Sequence, residues 1–342
     1  MTVLHSAGRA RFLMMILIAL TVSSLSFAQT YTVTDLGDSL GGNSSGARAV
    51  NASAQITGYA LVSGNNVSDD VFLYSNATMK SLGTLGGTTG IGNGINISGQ
   101  VAGYSTDSGG NYRAFISSSG HLTNIGDLGG NAAVAYGIND LGQVVGSAVT
   151  SNGENHPFLY SNGHMTDLGT LGSHNNNWWN VATSVNNAGR VTGTSYDANG
   201  NFFAFIWANG QMKKLGTLGG SWSQGYAINN KGQVTGNAYL ANGASHAFLY
   251  TAGKMKDVGA VLGYISWGFG INDAGSVVGM FPFKTTYHAF VYTNGKTTDL
   301  NTLIPAGSGW MLTAAYGINT SGQIVGEGTH NGQQHGFLLT PQ

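Results

Sequence analysis

The 342-residue chain contains no cysteine, so no disulfide framework supports it and its stability must come from its core and its topology. Charge is nearly as scarce. Only 8% of residues are charged and the net charge is -1, which excludes nucleic acid and an anionic membrane surface as partners, since both require a basic surface. Beyond residue 28 no segment is continuously apolar over the ~20 residues that span a bilayer, so no membrane insertion of the mature chain is expected. The 3.6-residue period is also missing there, and essentially no helix is expected. No H-x-x-x-H spacing occurs, and no glycine-rich loop leads into a helix whose N-terminus could hold a phosphate.

What is present begins with a leader. Arg9 and Arg11 precede an apolar run over residues 12–20, and Ser26-Phe27-Ala28 supplies small residues at a cleavage site. This predicts a secretory signal peptide over residues 1–28, with residues 29–342 secreted or extracellular, or alternatively periplasmic.

The mature chain is a repeat. A β-branched residue followed by Asn recurs at Val50-Asn51, Ile95-Asn96, Ile138-Asn139, Val185-Asn186, Ile228-Asn229, Ile271-Asn272 and Ile318-Asn319, at spacings of 45, 43, 47, 43, 43 and 47. A period of this size marks solenoids, propellers or arrays, and seven units use up the mature chain. Each unit reads as four short strands separated by turn signals, with Asn162-Gly163 as a typical hairpin dipeptide. Two residues before each Asn stands Ala, Gly or Ser, as expected where innermost strands crowd an axis. Seven after it every unit has Gly, and each third strand carries a Phe, from Phe72 to Phe337, expected between adjacent sheets. The repeated Asn is expected to accept backbone hydrogen bonds at its turn.

The register is offset. The fourth-strand string appears six times after residue 78, and its seventh copy is Thr34-Asp35-Leu36-Gly37 at the start of the mature chain, whereas the last unit stops after its third strand. An all-β, seven-bladed β-propeller of four-stranded antiparallel blades follows, with residues 31–37 completing the blade of residues 315–339. A monomer is expected. His246-Ala247-Phe248-Leu249-Tyr250 and His288-Ala289-Phe290-Val291-Tyr292, with the Gly-Ile-Asn and Leu-Gly-Thr-Leu-Gly-Gly strings, resemble the bacterial extracellular HAF repeat family over residues 31–339. That resemblance implies an exported repeat protein without a settled enzymatic activity. The HAF histidine is absent from several units, where Asp70, Arg113 and Phe203 replace it, so it is not expected to be a required ligand. The segment from Gly137 to Gly146 is similar to a turn of the chromosome-condensation-regulator propellers, which implies the same seven-bladed shape.

Function is expected where the repeat varies. The second-to-third and blade-to-blade connections share one face and differ in length. Trp178, Trp179, Trp222, Trp267 and Trp310 are assigned to blade-to-blade connections there, and Tyr136, Tyr226, Phe269 and Tyr316 to the rim of the axial opening. Aromatic rings with polar tips suit a glycan, so these are the candidate ligand-binding residues for an extracellular carbohydrate or a cell-surface protein. Trp179 and Trp222 both stand seven before their Asn and also fit as wedges between blades. A propeller glycoside hydrolase or polysaccharide lyase is the alternative, with Asp69, Asp70, Asp107, Glu154, Asp197 and Glu327 as the available acids. A purely structural envelope protein is the third. No cofactor is expected, although Asp197, Asn199 and Asn201 form a fragment of a calcium-loop pattern that also reads as a polar hairpin turn. The repeated acids Asp35, Asp167, Asp257 and Asp299 are expected to be solvated or capping groups.

Deleting residues 31–37 should lower the urea midpoint and unfold the last blade before the rest, as read by hydrogen exchange. Protection lost only at the new terminus would point to an open solenoid.

Overall fold

The computed structural model describes residues 29–37, 39–62, 68–172 and 179–342. The assigned signal peptide, Trp178 and the Asn-rich run before it lie outside the described residues. Period-two alternation with glycine turns yields strands throughout, and the two short 3-10 turns at Ala260–Leu262 and Leu300–Thr302 are the only helical elements among the described residues. Four antiparallel strands form each blade. In blade 3 they are Gly129–Ile138, Val144–Thr150, Asn155–Ser161 and His164–Asp167, paired in chain order. Six blades follow that order, and one parallel bridge, Asp69 to Thr89, joins the first two sheets.

Blade 7 closes the molecule. Its strands Trp310–Ile318, Ile324–His330 and Gln333–Pro341 take their fourth partner from the start of the chain, Tyr31–Asp35, in antiparallel register from Tyr31 against Pro341 to Asp35 against Phe337. The fold is therefore the seven-bladed propeller expected from the offset repeat.

The repeated Asn does more than hold its turn. Asn139 Oδ1 accepts from the backbone N–H groups of Leu141 and Gln143 at 3.1 and 2.9 Å, as expected. Its Nδ2 also crosses to the next blade and donates to the carbonyl oxygen of Asn186 at 2.9 Å. Every blade repeats this contact. Asn51 reaches Asn96, Asn96 reaches Asn139, Asn186 reaches Asn229, Asn229 reaches Asn272, Asn272 reaches Asn319, and Asn319 returns to Asn51 at 3.0 Å. Seven buried side chains thus join the innermost strands in a closed ring.

Packing follows from the same repeat. All seven third-strand Phe residues are fully buried. Phe158 lies with Ala102, Ala114 and Ile125 of the preceding blade, and Phe337 with Val278, Ala289 and Val291 of its own predecessor. Burial of each contributes roughly 1.5–3 kcal/mol. The glycine seven after each Asn is required by a close approach. A Cβ on Gly146 would stand 2.0 Å from the Val134 carbonyl oxygen, and the other six meet the first strand in the same way.

Two expectations are corrected. The first strands are longer than the turn signals implied, because their Gly-Gly starts pair with the far end of the second strand, as Gly129 does with Thr150. Trp222 therefore lies within Gly219–Ile228, and Trp267 and Trp310 open Trp267–Ile271 and Trp310–Ile318, none of them in a blade-to-blade connection. The repeated acids cap as expected, each accepting from the backbone N–H two residues on, but they are paired with histidines and not simply solvated. Asp167, Asp257 and Asp299 accept from Nδ1 of His156, His246 and His288, eleven residues earlier on the adjacent strand, at 2.7–2.9 Å. Where the histidine is replaced, its opposite number changes too: Asp70 meets Ser81, and Lys214 lies over the Phe203 ring at 4.4 Å.

Asn139→Ala would leave the Asn186 carbonyl and two backbone N–H groups unpaired, and should cost about 3 kcal/mol or more in urea unfolding. Asn139→Asp should be worse at pH 7, because a carboxylate cannot donate to that carbonyl. Only the protonated acid restores the bond, so its folded-state pKa is raised and its deficit should narrow as the pH falls toward 4.

Candidate functional site

A β-bulge interrupts every first strand at one place. Register shifts fall between Ala47 and Ala49, Gly92 and Gly94, Ala135 and Gly137, Ala182 and Ser184, Gly225 and Ala227, Gly268 and Gly270, and Ala315 and Gly317. The skipped residue in each blade stands three before the repeated Asn. A bulged residue leaves the ladder and its side chain is re-aimed. Here the seven are Arg48, Asn93, Tyr136, Thr183, Tyr226, Phe269 and Tyr316, and all of them line the axial channel. The scaffold repeats while its lining does not.

That ring divides the channel. On the Asn-turn side lies a cavity of about 350 Å³ walled by the repeated Ile-Asn segments. On the opposite side, facing the variable connections, lies a chamber of about 510 Å³ that adds Ile91, Tyr104, Tyr112 and Val134 to the ring. The residue eight after the Asn is Tyr104 in blade 2, which lines this chamber, and Tyr59 and Glu327 in blades 1 and 7, which contact its lining residues Arg48 and Tyr316. Gly46 makes room for Tyr59, since a Cβ there would stand 2.5 Å from the Tyr59 ring.

The chamber is polarised. Along one wall Tyr226, Phe269 and Tyr316 form a continuous aromatic row, with centroids 5.3 Å apart at both contacts. Around blades 7 and 1 the polar groups gather. Glu327 accepts from Tyr316 Oη at 2.8 Å and from Tyr59 Oη at 3.2 Å, and Gln334 Nε2 donates to Tyr59 Oη at 3.0 Å. The Arg48 guanidinium lies 4.1 Å above the Tyr316 ring and 3.7 Å from Glu327 Oε2, in ionic contact but beyond direct hydrogen-bond range. Burial works against the charge of Arg48, yet the neighbouring Tyr316, Glu327 and Tyr59 outweigh it and raise its pKa. Burial, reinforced by Glu327, pushes the Tyr316 phenol up to about 12. Tyr59 is raised for the same reasons, and Tyr136 and Tyr226 by burial. These phenols stay protonated and serve as hydrogen-bond donors.

The sequence-assigned aromatics separate into two groups. Tyr136, Tyr226 and Tyr316 come together in the axial ring, and Phe269 with them. The described tryptophans do not join them. Trp222 is packed between Phe202 of the preceding blade and Tyr239, at 4.6 and 3.8 Å between centroids, as a wedge between blades. Trp267 stands against Tyr287, and Trp310 lies flat on His330. Trp179 is 52% exposed. Sequence reasoning passed over Arg48, Asn93, Thr183, Tyr59 and Tyr104, and offered Glu327 only as one of six acids for the hydrolase alternative, although their fixed offsets from the repeated Asn mark them as equivalent positions.

The remaining acids are engaged elsewhere. Asp107 accepts from Arg113 Nε at 2.8 Å, which with the backbone N–H of Asn111 holds its carboxyl down at about 2. Glu154 stands 3.4 Å from His156 Nε2. The calcium pattern is a hairpin turn: Asp197 Oδ1 accepts from the N–H groups of Asn199 and Asn201, and Lys214 Nζ approaches Oδ2 at 3.9 Å. A cation beside the carboxylate does not suit the oxygen shell that calcium requires.

No protein-family model matches the sequence, and no curated protein does. Among solved structures the chain is similar to the β-propeller domain of the Trilobed protease from Pyrococcus furiosus, with a TM-score of 0.57 at 10% identity, covering 93% of this chain and 96% of that one. That domain is described as having an open velcro topology. TolB from Acinetobacter baumannii gives a TM-score of 0.49 at 12% identity, over 66% of this chain and 57% of TolB. A gluconolactonase from Xanthomonas campestris gives 0.39 at 9% identity, over 91% and 90%. The protease domain supports the propeller fold and carries nothing about activity.

Raised phenol pKa values couple stability to alkaline pH. Tyr316 keeps its proton to about 12 when folded and loses it near pH 10 when unfolded, so its contribution is complete below pH ~10 and is lost as the pH rises toward that folded value. Tyr316→Phe should flatten part of this fall in urea midpoints measured from pH 9 to 12, and should remove one late-ionising phenol from the ultraviolet titration.

Proposed function

We propose that the protein is an exported binding module, resembling the HAF repeat proteins, whose axial chamber takes an extracellular saccharide. One observation carries this reading: a chamber of about 510 Å³ is lined by an aromatic row that ends, at Tyr316 and Arg48, on a cluster of fixed donors and acceptors. Its size lies within the range of about 300–1,000 Å³ typical of small-molecule sites. A pyranose has one apolar face and a rim of hydroxyls. The Tyr226-Phe269-Tyr316 row suits the face, and Arg48, Asn93, Glu327 and Tyr59 offer both donors and acceptors to the hydroxyls. The Arg48–Glu327 pair leaves the cluster electrically neutral, which suits an uncharged polyol. Tyr136, Tyr226, Phe269 and Tyr316, the aromatics assigned from the sequence to the axial rim, belong to this proposed site.

Binding is favoured over hydrolysis because glycoside cleavage generally needs two carboxyl groups about 5–10 Å apart across the bond. Glu327 is the acid of the polar cluster and already accepts two phenol hydrogens.

A glycan array on the intact protein, followed by calorimetric titration of each hit, tests the reading. Tyr112→Ala and Phe269→Ala should each weaken binding by about tenfold or more. Loss on Trp179→Ala with no change on Tyr112→Ala would move the site to the variable loops, and no binding at all would leave a structural envelope protein. Release of reducing ends that Glu327→Gln abolishes would make the protein a hydrolase.

A further inference from the structure

We propose that Asp35, His330 and His335 bind a divalent transition ion of the zinc class, and that this ion fastens the N-terminal strand to blade 7. In three blades a third-strand histidine pairs with one fourth-strand aspartate: His156 with Asp167, His246 with Asp257 and His288 with Asp299. Blade 7 keeps that pair as His335 and Asp35, although Asp35 comes from the other end of the chain. It also adds an imidazole. His330 ends the second strand eleven after the repeated Asn, where other blades have Val62, Asp107, Thr150, Asp197, Leu240 and Phe283.

Both imidazoles turn Nδ1 toward one carboxylate. His330 Nδ1 lies 2.7 Å from Asp35 Oδ2, and His335 Nδ1 lies 3.0 Å from each oxygen. One ligand atom from each residue falls within 4.8 Å of the others, an arrangement found nowhere else among the described residues. Two imidazole nitrogens and a carboxylate oxygen are a set that zinc accepts, with a fourth position for water, and imidazole disfavours calcium and magnesium. The group is also held in place. Trp310 stacks on His330 at 4.8 Å with the planes 1° apart, and the Gly37 N–H donates to Asp35 Oδ1 at 2.8 Å. His335 is only 8% exposed and its Nε2 has no hydrogen-bond partner, so Nδ1 is its one polar outlet.

Without an ion, each imidazole donates its Nδ1–H to Asp35. Binding at Nδ1 replaces each of those hydrogen bonds by an N–metal bond and relocates each ring's single proton from Nδ1 to Nε2, which for His335 leaves a buried N–H without a partner that the N–metal bond must offset. For His330 the Asn331 side-chain amide lies 3.3 Å from Nε2 and, turned over, presents its oxygen to the new N–H. The ion would then join Tyr31–Asp35 to Gln333–Pro341, a cross-link in a chain that has no cysteine to make one.

Calorimetric unfolding of the whole mature chain, stripped with EDTA and resupplied with Zn²⁺, tests the site. At about 100-fold excess over Kd the melting temperature should rise by roughly 5 °C, with one ion bound per chain. His330→Ala should abolish the rise, and His288→Ala, which touches an ordinary His–Asp pair, should retain it. No rise in the parent protein, or an equal rise in His330→Ala, overturns the proposal. Should His330→Ala not fold, Co²⁺ titration of the parent protein decides: intense tetrahedral ligand-field bands support the site, and a spectrum like that of the aqueous ion rejects it.

Discussion

The donation from one asparagine side chain to the next blade's asparagine carbonyl is the contact on which this propeller depends. A two-way commitment makes it effective. Oδ1 fixes the turn of its own blade through two backbone N–H groups, while Nδ2 fixes the distance to the neighbour. Only a primary amide offers an acceptor and two donors in one plane, so Asp lacks the donors and Ser the reach. The bonds are buried, so each unmade one leaves a polar group without water. Because the seventh returns to the first, no blade can shift without straining every other.

That ring dictates where variety is tolerated. The small residue two before the Asn and the glycine seven after it are constrained by backbone approach, as Gly270 meets the Tyr316 carbonyl and Gly279 the Trp267 carbonyl. Between these fixed points the bulge ejects one residue per blade from the ladder into the channel. Such a residue makes no ladder contact and lies outside the apolar layers between sheets, reaching at most the next blade's backbone as Asn93 and Thr183 do, so the fold leaves its identity largely free. Seven equivalent positions accordingly hold Arg, Asn, Tyr, Thr, Tyr, Phe and Tyr. A rigid repeating frame around a non-repeating lining is how a symmetric fold obtains an asymmetric chamber.

Much of this was legible from period and composition alone. The seven units, the offset register and the Phe layer follow from spacing, because strands leave a two-residue pattern and turns leave glycine and asparagine. The chamber was half legible. Tyr136, Tyr226 and Tyr316 stand out as aromatics and Glu327 as one acid among six, whereas Arg48 does not, since a lone charge in a repeat reads as a solvated surface group until the bulge is known to point it inward. The tryptophans illustrate the opposite error. A large side chain near a glycine-rich string reads as a loop residue, but the Gly-Gly starts extend the first strand and draw Trp222 between two blades. The His–Asp partnership was hidden because it joins positions eleven apart across a hairpin, and in blade 7 it joins Asp35 to His335.

The departures from sevenfold symmetry are not scattered. Arg48 and Tyr59 belong to blade 1 and Glu327 and Tyr316 to blade 7, so the cluster that polarises the chamber spans the junction of the first and last repeats. Blade 7 is joined covalently to blade 1, as other blades are to their successors, because its strand Tyr31–Asp35 continues in the chain to Gly41–Val50 of blade 1. The non-covalent join lies inside blade 7, where Tyr31–Asp35 pairs with Gln333–Pro341. The Asp35–His335 pair acts across that join. The Arg48–Glu327 and Tyr59–Glu327 pairs and the Asn319–Asn51 bond reinforce it by tying the three C-terminal strands directly to blade 1. Chamber polarity and ring closure are thus served by one set of residues, and any ligand that engages Arg48 and Glu327 together also bears on the seam.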